Sequence, residues 1–291
     1  MYRCRIVIVV FSLVLLGTEP VCGSTGNLSQ EARSCLLHGD LETKQTYGDY
    51  VVRILRNNFT GCFEILRSGR RLYAEGDARF QIGAVYPDDP KLHPVPIGRD
   101  VTGEHQPNLV ITSWSGGAHC CFTFQVFQIG SDFKKIAELN AEHGDLSHFE
   151  DLHHDGILVF VTNDWTFAYW NTSFLDSPAP DIKLQFRNGK YELAKDLMVR
   201  PPPGPARLVD KARVVRVLDP TPWGTPPSRL WSEMLELIYS GNMQLATRFL
   251  DLAWNPRWGD KKTFQREFDR QLSKSPYWPQ VRQLSAETIP H

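Results

Sequence analysis

Short apolar segments separated by turn residues dominate the chain from Tyr47 to about residue 194. Val, Ile, Phe and Tyr are frequent in these segments, and Gly, Asn or Asp interrupts them about every ten residues, which is typical of antiparallel β structure. The predicted strands are 51–55, 62–66, 71–74, 79–82, 108–114, 122–129, 157–162, 166–170, 182–186 and 191–194. Asn188-Gly189 predicts a tight hairpin, and Ser68-Gly69 and the segment 75–77 predict turns.

The spacing of apolar residues changes near the C-terminus, where they recur every three or four positions. This period predicts helices. Gly241 separates the first helix from the second, and Asp260 is the predicted N-cap of the third. The three apolar faces are Leu230, Met234, Leu235 and Ile238, then Leu245, Phe249, Leu252 and Ala253, then Phe264, Phe268 and Leu272.

The pattern therefore predicts an α+β chain with four parts. Residues 1–23 form a signal peptide, 24–199 an antiparallel β domain, 200–227 a proline-rich linker that could include a short helix, and 228–291 a small helical domain. The prolines between Pro201 and Pro205 predict a stiff spacer at the boundary. We expect the β domain to form partial propeller-like blades or a sandwich.

The first 23 residues have the order of a secretory signal peptide. Arg3 and Arg5 precede an apolar run at 6–16, and the small residue Gly23 marks the predicted cleavage site. A membrane anchor is the alternative, but a span needs about 20 apolar residues. Cleavage leaves 268 residues (291 minus 23). We expect a secreted or periplasmic protein that does not span the membrane.

Charge excludes some partner classes. Lys plus Arg number 32 and Asp plus Glu number 33, which gives a formal net charge of -1. Nucleic acid binding usually requires a basic field, so we expect no nucleic acid partner.

Four cysteines remain after removal of the leader, and the oxidising compartment favours disulfides. Cys120 and Cys121 are neighbours, and successive side chains on a strand point to opposite faces. We therefore favour bonds that join these two residues to Cys35 and Cys62. The alternative is a bond between the two neighbours.

Oxygen-bearing side chains alternate immediately before the strand at 108–114, which is the pattern of a calcium loop. The candidate ligands are Asp100, Thr102, Glu104, Gln106 through its backbone carbonyl, and Asn108. A second copy begins 51 residues later, with Asp151 and Asp155 before the strand at 157–162. The alternative is a set of Asx-turn hydrogen bonds that orders each loop without an ion.

At these residues the chain resembles the FG-GAP, or VCBS-type, repeats of integrin-like β-propellers. The resemblance covers about residues 100–162, including 113–121, which is similar to a segment of exported bacterial proteins of this type. It implies β blades, calcium as a ligand, and a binding role. The second loop departs from the pattern, because His153, His154 and Val159 replace expected residues and leave only Asp151 and Asp155 as oxygen donors.

The C-terminal part has a weaker resemblance. Gly241, Ala246 and Ala253, followed by Asn255-Pro256, look like a single tetratricopeptide unit. One unit cannot bury its apolar face alone, so we expect this hairpin to pack on the third helix or on the β domain.

Two further groups of residues have a functional and a structural interpretation. Histidines between His93 and His154 suit a transition metal, or they simply face solvent in polar loops. The densest part of that group is His143, His148, His153 and His154. Trp165, Phe167 and Tyr169 alternate on one predicted strand face, which favours core packing over an exposed stacking platform.

We expect an exported, non-enzymatic binding or scaffolding protein, because no complete catalytic set is present. A hydrolase or redox enzyme that uses Cys120 or Cys121, with His119 nearby in sequence, is the alternative from another class. A third hypothesis is that the helical tail docks on another exported protein.

Overall fold

Two antiparallel sheets and seven helices make up the part of the chain that the computed structural model describes. The described residues are 28–284 except Phe59, His119 and Trp223. The predicted signal peptide, residues 1–23, lies outside them.

The first sheet contains seven strands, and its spatial order is the order of the chain. Every neighbouring pair is antiparallel. Ser68 and Gly69 both have positive φ, as the predicted two-residue turn requires. The strands are β1 (Asp40–Tyr47), β2 (Tyr50–Asn57), β3 (Thr60–Arg67), β4 (Arg70–Ile82), β5 (Asn108–Trp114), β6 (Phe122–Ile129) and β7 (Phe133–Glu142).

The second sheet is a four-stranded antiparallel meander. Its strands are β8 (His148–Glu150), β9 (Val159–Asn163), β10 (Asp181–Arg187) and β11 (Lys190–Leu193). Asn188 and Gly189 have φ of 53° and 80°, so the predicted tight hairpin joins β10 to β11.

The helices are α1 (Gln30–His38), α2 (Lys195–Met198), α3 (Pro205–Arg216), α4 (Ser228–Tyr239), α5 (Met243–Ala253), α6 (Lys261–Leu272) and α7 (Trp278–Leu284). The three predicted helices are α4, α5 and α6. The side chain of Asp260 accepts the backbone N–H of Thr263 at 2.8 Å, so the predicted N-cap is correct.

The α+β class, with β structure followed by helices, is confirmed. In the residues that the structure describes, neither sheet pairs its first strand with its last, so no closed propeller ring is present.

Residues 71–82 were predicted as two strands with a turn at 75–77, and this prediction is wrong. They form one long strand, β4, whose first part pairs with β3 and whose last part pairs with β5. Gly76 lies opposite Cys62 in that ladder, and a Cβ at position 76 would overlap Ala32 of α1. The glycine is therefore explained by the close approach of a helix to the strand rather than by a turn.

The predicted strand at 166–170 is also wrong. Successive turns replace it, with Ala168 N–H donating to Trp165 at 2.8 Å and Trp170 N–H donating to Phe167 at 3.1 Å. Because the backbone turns, the alternating aromatic face does not form. Phe167 is buried, whereas the side chain of Tyr169 is 53% exposed.

The segment predicted as a linker contains a three-turn helix. Pro205 begins α3 at its first position, where the missing N–H of proline costs nothing. Buried residues of α3 belong to the same apolar cluster as residues of the second sheet and of α4–α7. The proline segment therefore leads into a helix that packs in this common core.

Two apolar clusters lie on opposite faces of the central strands. On β6, Phe124 and Val126 point toward the second sheet and the helices, while Phe127 and Ile129 point into a cluster formed by β2–β6. Because side chains alternate across a strand, burial of both faces requires apolar residues at nearly every position. This accounts for the continuous apolar run Leu109-Val110-Ile111 of β5, whereas polar residues interrupt β6.

A buried carboxylate connects the second sheet to the helices. Asp164, only 2% exposed, follows β9 and accepts the Thr166 N–H at 2.9 Å and the Tyr239 hydroxyl at 2.5 Å. The hydroxyl of Ser275 donates to the same carboxylate. Burial and the charge of Asp164 raise the pKa of Tyr239, so this hydroxyl stays protonated and remains a donor.

We predict that Asp164→Ala lowers the free energy of unfolding by about 3 kcal/mol, because three buried donors lose their acceptor. Urea unfolding followed by circular dichroism measures this loss. The matched control is Asp176→Ala in the next turn, where the carboxylate is exposed and we expect a change within about 0.5 kcal/mol. Equal effects of the two substitutions would contradict a special role for Asp164.

Candidate functional site

The loop predicted to bind calcium is folded around Asp100. Oδ1 of Asp100 accepts the backbone N–H groups of Thr102 and Gly103 at 2.8 and 2.9 Å and the Thr102 hydroxyl at 2.8 Å. Oδ2 accepts the His105 N–H at 2.7 Å. Burial alone would raise the pKa of Asp100, but these hydrogen bonds hold it below its ordinary value.

Two of the other predicted ligands take part in the hydrogen bonds of the loop itself. Oδ1 of buried Asn108 accepts the Val101 N–H at 2.8 Å, and the Thr102 hydroxyl accepts the Glu104 N–H at 3.2 Å. The side chain of Glu104 is exposed, and that of Gln106 lies beside Gly130. The loop therefore has the Asx-turn hydrogen bonds that were the alternative to an ion, and calcium binding stays a prediction.

The second loop repeats this arrangement in a simpler form. Asp151 accepts the N–H groups of Asp155 and Gly156 at 3.1 and 2.9 Å, and Asp155 accepts the Ile157 N–H at 2.9 Å. The two loops are in contact, since the Arg99 guanidinium donates to the Gly156 carbonyl at 3.0 Å. Each loop thus orders the chain just before a buried strand of a different sheet.

The disulfides differ from the pairing that we favoured. Cys35 bonds to Cys62, and Cys120 bonds to Cys121. Cys35 lies on α1, which packs on β2–β4 and so places its sulfur beside Cys62 on β3. Cys120 and Cys121 lie in the loop between β5 and β6, not on a strand, so the expectation of opposite-facing side chains does not apply.

An aromatic pocket lies beside the Cys120–Cys121 loop. Its volume is about 200 Å³, and it is lined by Tyr86, Trp114, Gly117, Ala118, Phe122, His143, Asp145 and Phe174. The rings of Trp114 and Phe122 are stacked, with their centroids 6.1 Å apart. Four separate segments of the chain supply this lining, which is hereafter called the aromatic pocket.

His143 connects the pocket to the turns after β9. Its ring packs edge-on against Trp165 at 5.3 Å and lies 5.1 Å from the ring of Phe174. Trp165 and Phe174 are themselves stacked at 5.5 Å. Trp165 and Tyr169, predicted to be core residues of a strand, therefore pack on the lining residues His143 and Phe174, and only Phe167 of that set is fully buried.

Two polar groups face each other at the rim of the pocket. The Tyr86 hydroxyl donates to Oδ2 of Asp145 at 3.3 Å. Burial, then the charge and hydrogen bond of Asp145, raise the pKa of Tyr86, so its hydroxyl remains a donor near neutral pH. The pocket thus combines aromatic rings with a carboxylate at its edge.

One curated relative shares a limited part of the sequence. The chain is 33% identical to a probable thylakoid lumen protein of Synechocystis sp. over 87 residues, which are 29% of this chain and 25% of that protein. The match therefore spans about a quarter of the relative's length. No family model matches the chain. No solved structure matches it either.

The sequence did not predict this pocket. Tyr86 and Asp145 are 59 positions apart, and the pattern of neither segment indicates that they meet. The only available signal was the cluster of histidines and aromatic residues between 143 and 174.

Among the described residues, no helix has the length and apolar character needed to span a bilayer.

We predict that Asp100→Ala destabilises the protein by about 1 to 2 kcal/mol even in excess EDTA, because the loop loses its own hydrogen bonds. The lowered pKa of Asp100 means that its stabilisation is present above the ordinary carboxyl pKa and is lost as the pH falls through the folded value. Urea unfolding with EDTA or with calcium measures both effects. If Asp100→Ala lowered the unfolding free energy only when calcium is present, the result would support calcium binding by this loop instead.

The two disulfides should differ in their effect on stability. The bond between Cys35 and Cys62 closes a loop of sequence separation 27 and should contribute about 3 kcal/mol, whereas the other joins neighbours and barely restricts the unfolded chain. We expect the Cys35→Ala/Cys62→Ala protein to lose about that amount of unfolding free energy. The Cys120→Ser/Cys121→Ser protein is the control, and a larger loss there would contradict this explanation.

Proposed function

We propose that this chain is an exported binding protein and that its aromatic pocket holds a saccharide ring. The observation that carries the proposal is the combination, in one cavity of about 200 Å³, of several aromatic rings with a carboxylate at the rim. Aromatic faces pack against the C–H face of a sugar, and a carboxylate accepts hydrogen bonds from its hydroxyl groups.

Export is supported by two observations. The N-terminal sequence has the order of a signal peptide. The relative over 87 residues is described as a probable thylakoid lumen protein, and the thylakoid lumen is reached only by export. Secretion from the cell and retention in the periplasm are both compatible with this proposal.

The charges near the pocket favour a neutral ligand. Asp145 would attract an organic cation, which aromatic rings also bind. However, the Arg79 guanidinium already lies 5.2 Å from the ring centroid of Trp114, so a positive charge occupies that aromatic surface. A neutral polyhydroxylated ring avoids this repulsion and can use the Asp145 carboxylate together with the aromatic surface that Arg79 does not cover.

A binding role is favoured over the cysteine-dependent enzyme. Cys120 and Cys121 bond to each other, so neither provides the thiolate that a nucleophilic or redox mechanism needs in this state. His119, the other residue of that hypothesis, lies outside the described residues.

The third hypothesis, a docking function for the helical tail, has less support than the pocket. Apolar residues of α4, α5 and α6 point into the cluster that they share with the second sheet. These helix faces are therefore used in folding and are not available for a partner.

We predict that the mature protein binds one or more neutral oligosaccharides from a glycan panel, with quenching or enhancement of tryptophan fluorescence. Asp145→Asn should weaken that binding about tenfold, because it replaces a charged acceptor of hydroxyl groups. Isothermal titration calorimetry measures the affinities. The control is Asp132→Asn in the exposed turn before β7, which should bind as the wild type does.

The absence of any glycan binding at millimolar concentration would falsify the saccharide proposal. Equal losses of glycan affinity in the Asp145 and Asp132 variants would also count against it, because the carboxylate of the pocket would then contribute no more than an exposed one. Preferential binding of quaternary ammonium compounds would identify the pocket as a cation site instead.

A further inference from the structure

Three potential metal ligands meet at the start of the second sheet. His148 and Glu150 lie two residues apart on β8 and so point to the same side of the strand. His93 comes from the loop after β4, where it ends the short 3-10 helix Pro90–Leu92 with φ 44° and ψ 60°. One ligand atom from each of the three residues lies within 4.8 Å of the other two.

The separations of these atoms match those of ligands around a metal ion. Nε2 of His148 is 3.4 Å from Oε2 of Glu150, and Nε2 of His93 is 3.8 Å from Oε1 of Glu150. Ligand atoms about 2.1 Å from a tetrahedral zinc ion lie about 3.4 Å from one another. Both histidine–carboxylate separations are therefore within about 0.4 Å of this value, and all pairs of ligand atoms lie within 4.8 Å.

The hydrogen bonding of His148 prepares its Nε2 for coordination. Nδ1 of His148 lies 2.8 Å from the carbonyl oxygen of Leu146. A carbonyl oxygen can only accept, so Nδ1 carries the proton, and the lone pair of the neutral ring is on Nε2. Metal-binding histidines are typically oriented by such a bond from the second ring nitrogen.

The arrangement of these three groups suits a cation. In the neutral ring, the Nε2 lone pair of His148 faces the carboxylate of Glu150, and the two repel unless a proton or a metal ion lies between them. The two imidazole rings lie 5.4 Å apart, and each presents Nε2 to one oxygen of the same carboxylate, an arrangement that a metal ion can bridge.

We propose that His93, His148 and Glu150 bind one divalent transition-metal ion, for which zinc is the best match. Two imidazole nitrogens and one carboxylate are ligands for such metals, whereas calcium prefers oxygen throughout. Three protein ligands leave a coordination position for water or an exogenous ligand. The site uses none of the predicted oxygen ligands of the calcium-like loops, although Glu150 directly precedes Asp151, and the proposal does not rest on the saccharide-binding function.

The test uses the mature, tag-free protein after removal of metal by a chelator. Isothermal titration with zinc should give one site per chain, and His93→Asn and Glu150→Gln should each weaken binding by about tenfold or more. The matched control is His153→Asn. Nε2 of His153 lies 2.9 Å from Asp196, and among the described residues this imidazole–carboxylate pair belongs to no group of three candidate ligands, so this variant should bind zinc as the wild type does.

Cobalt gives a second measurement that does not depend on any variant. Cobalt(II) in a tetrahedral site with nitrogen ligands absorbs strongly in the visible range, and addition of zinc should abolish this spectrum. Weak absorption, as for cobalt in an octahedral oxygen environment, would overturn the proposal. It would also be overturned if the wild type bound no stoichiometric zinc, or if the His93 and Glu150 variants bound it unchanged.

Thermal unfolding of the metal-free proteins checks that the variants remain folded. His93 is 51% exposed and Glu150 is 36% exposed at their side chains, so neither substitution removes core packing. The saccharide titration, repeated with chelator, separates the two proposals. Retained sugar binding without zinc binding would refute the metal site alone, and the opposite result would refute the pocket alone.

Discussion

The buried carboxylate of Asp164 is the constraint that fixes the second sheet against the C-terminal helices. A buried carboxylate is tolerated only when donors surround it, and here the donors come from the turn after β9, the end of α4 and the segment after α6. The turns at 165–174 begin at this point. Because the hydrogen bonds of Asp164 fix the start of these turns, the aromatic rings of Trp165 and Phe174 lie beside His143.

The second constraint is the use of both faces of β5 and β6. Leu109 and Ile111 of β5 pack into one apolar cluster, and Val110 between them packs into the other. The same two strands thus contribute side chains to both clusters. The cluster that contains Val110 also includes the helices α3–α7. The loops built on Asp100 and Asp151 lie just before β5 and β9, where their hydrogen bonds fix the chain as it enters the core.

The surface that we propose as functional is built from the same connections between sheets. The turn that contains His143 and Asp145 joins β7 of the first sheet to β8 of the second, and β8 carries His148 and Glu150. The loop after β4 supplies both Tyr86 and His93. The histidines of these segments were candidate metal ligands in the sequence, but their proximity to one another is a result of the fold.

The sequence by itself determined the α+β class, most of the strands, the helices α4, α5 and α6, the hairpin at Asn188-Gly189 and the cap at Asp260. These features depend on local periodicity and on turn or capping chemistry, which neighbouring residues specify. The uninterrupted strand β4, the turns at 166–170 and the pairing of the cysteines were decided by tertiary structure. Gly76 is explained by its contact with α1 and Cys35 by its position beside β3. The turn at Thr166 depends on Asp164, which Tyr239 and Ser275 bind from the helical part of the chain. The aromatic pocket and the cluster of His93, His148 and Glu150 belong to this second group, because the sequence marks the histidines as candidate ligands but only folding decides which side chains meet.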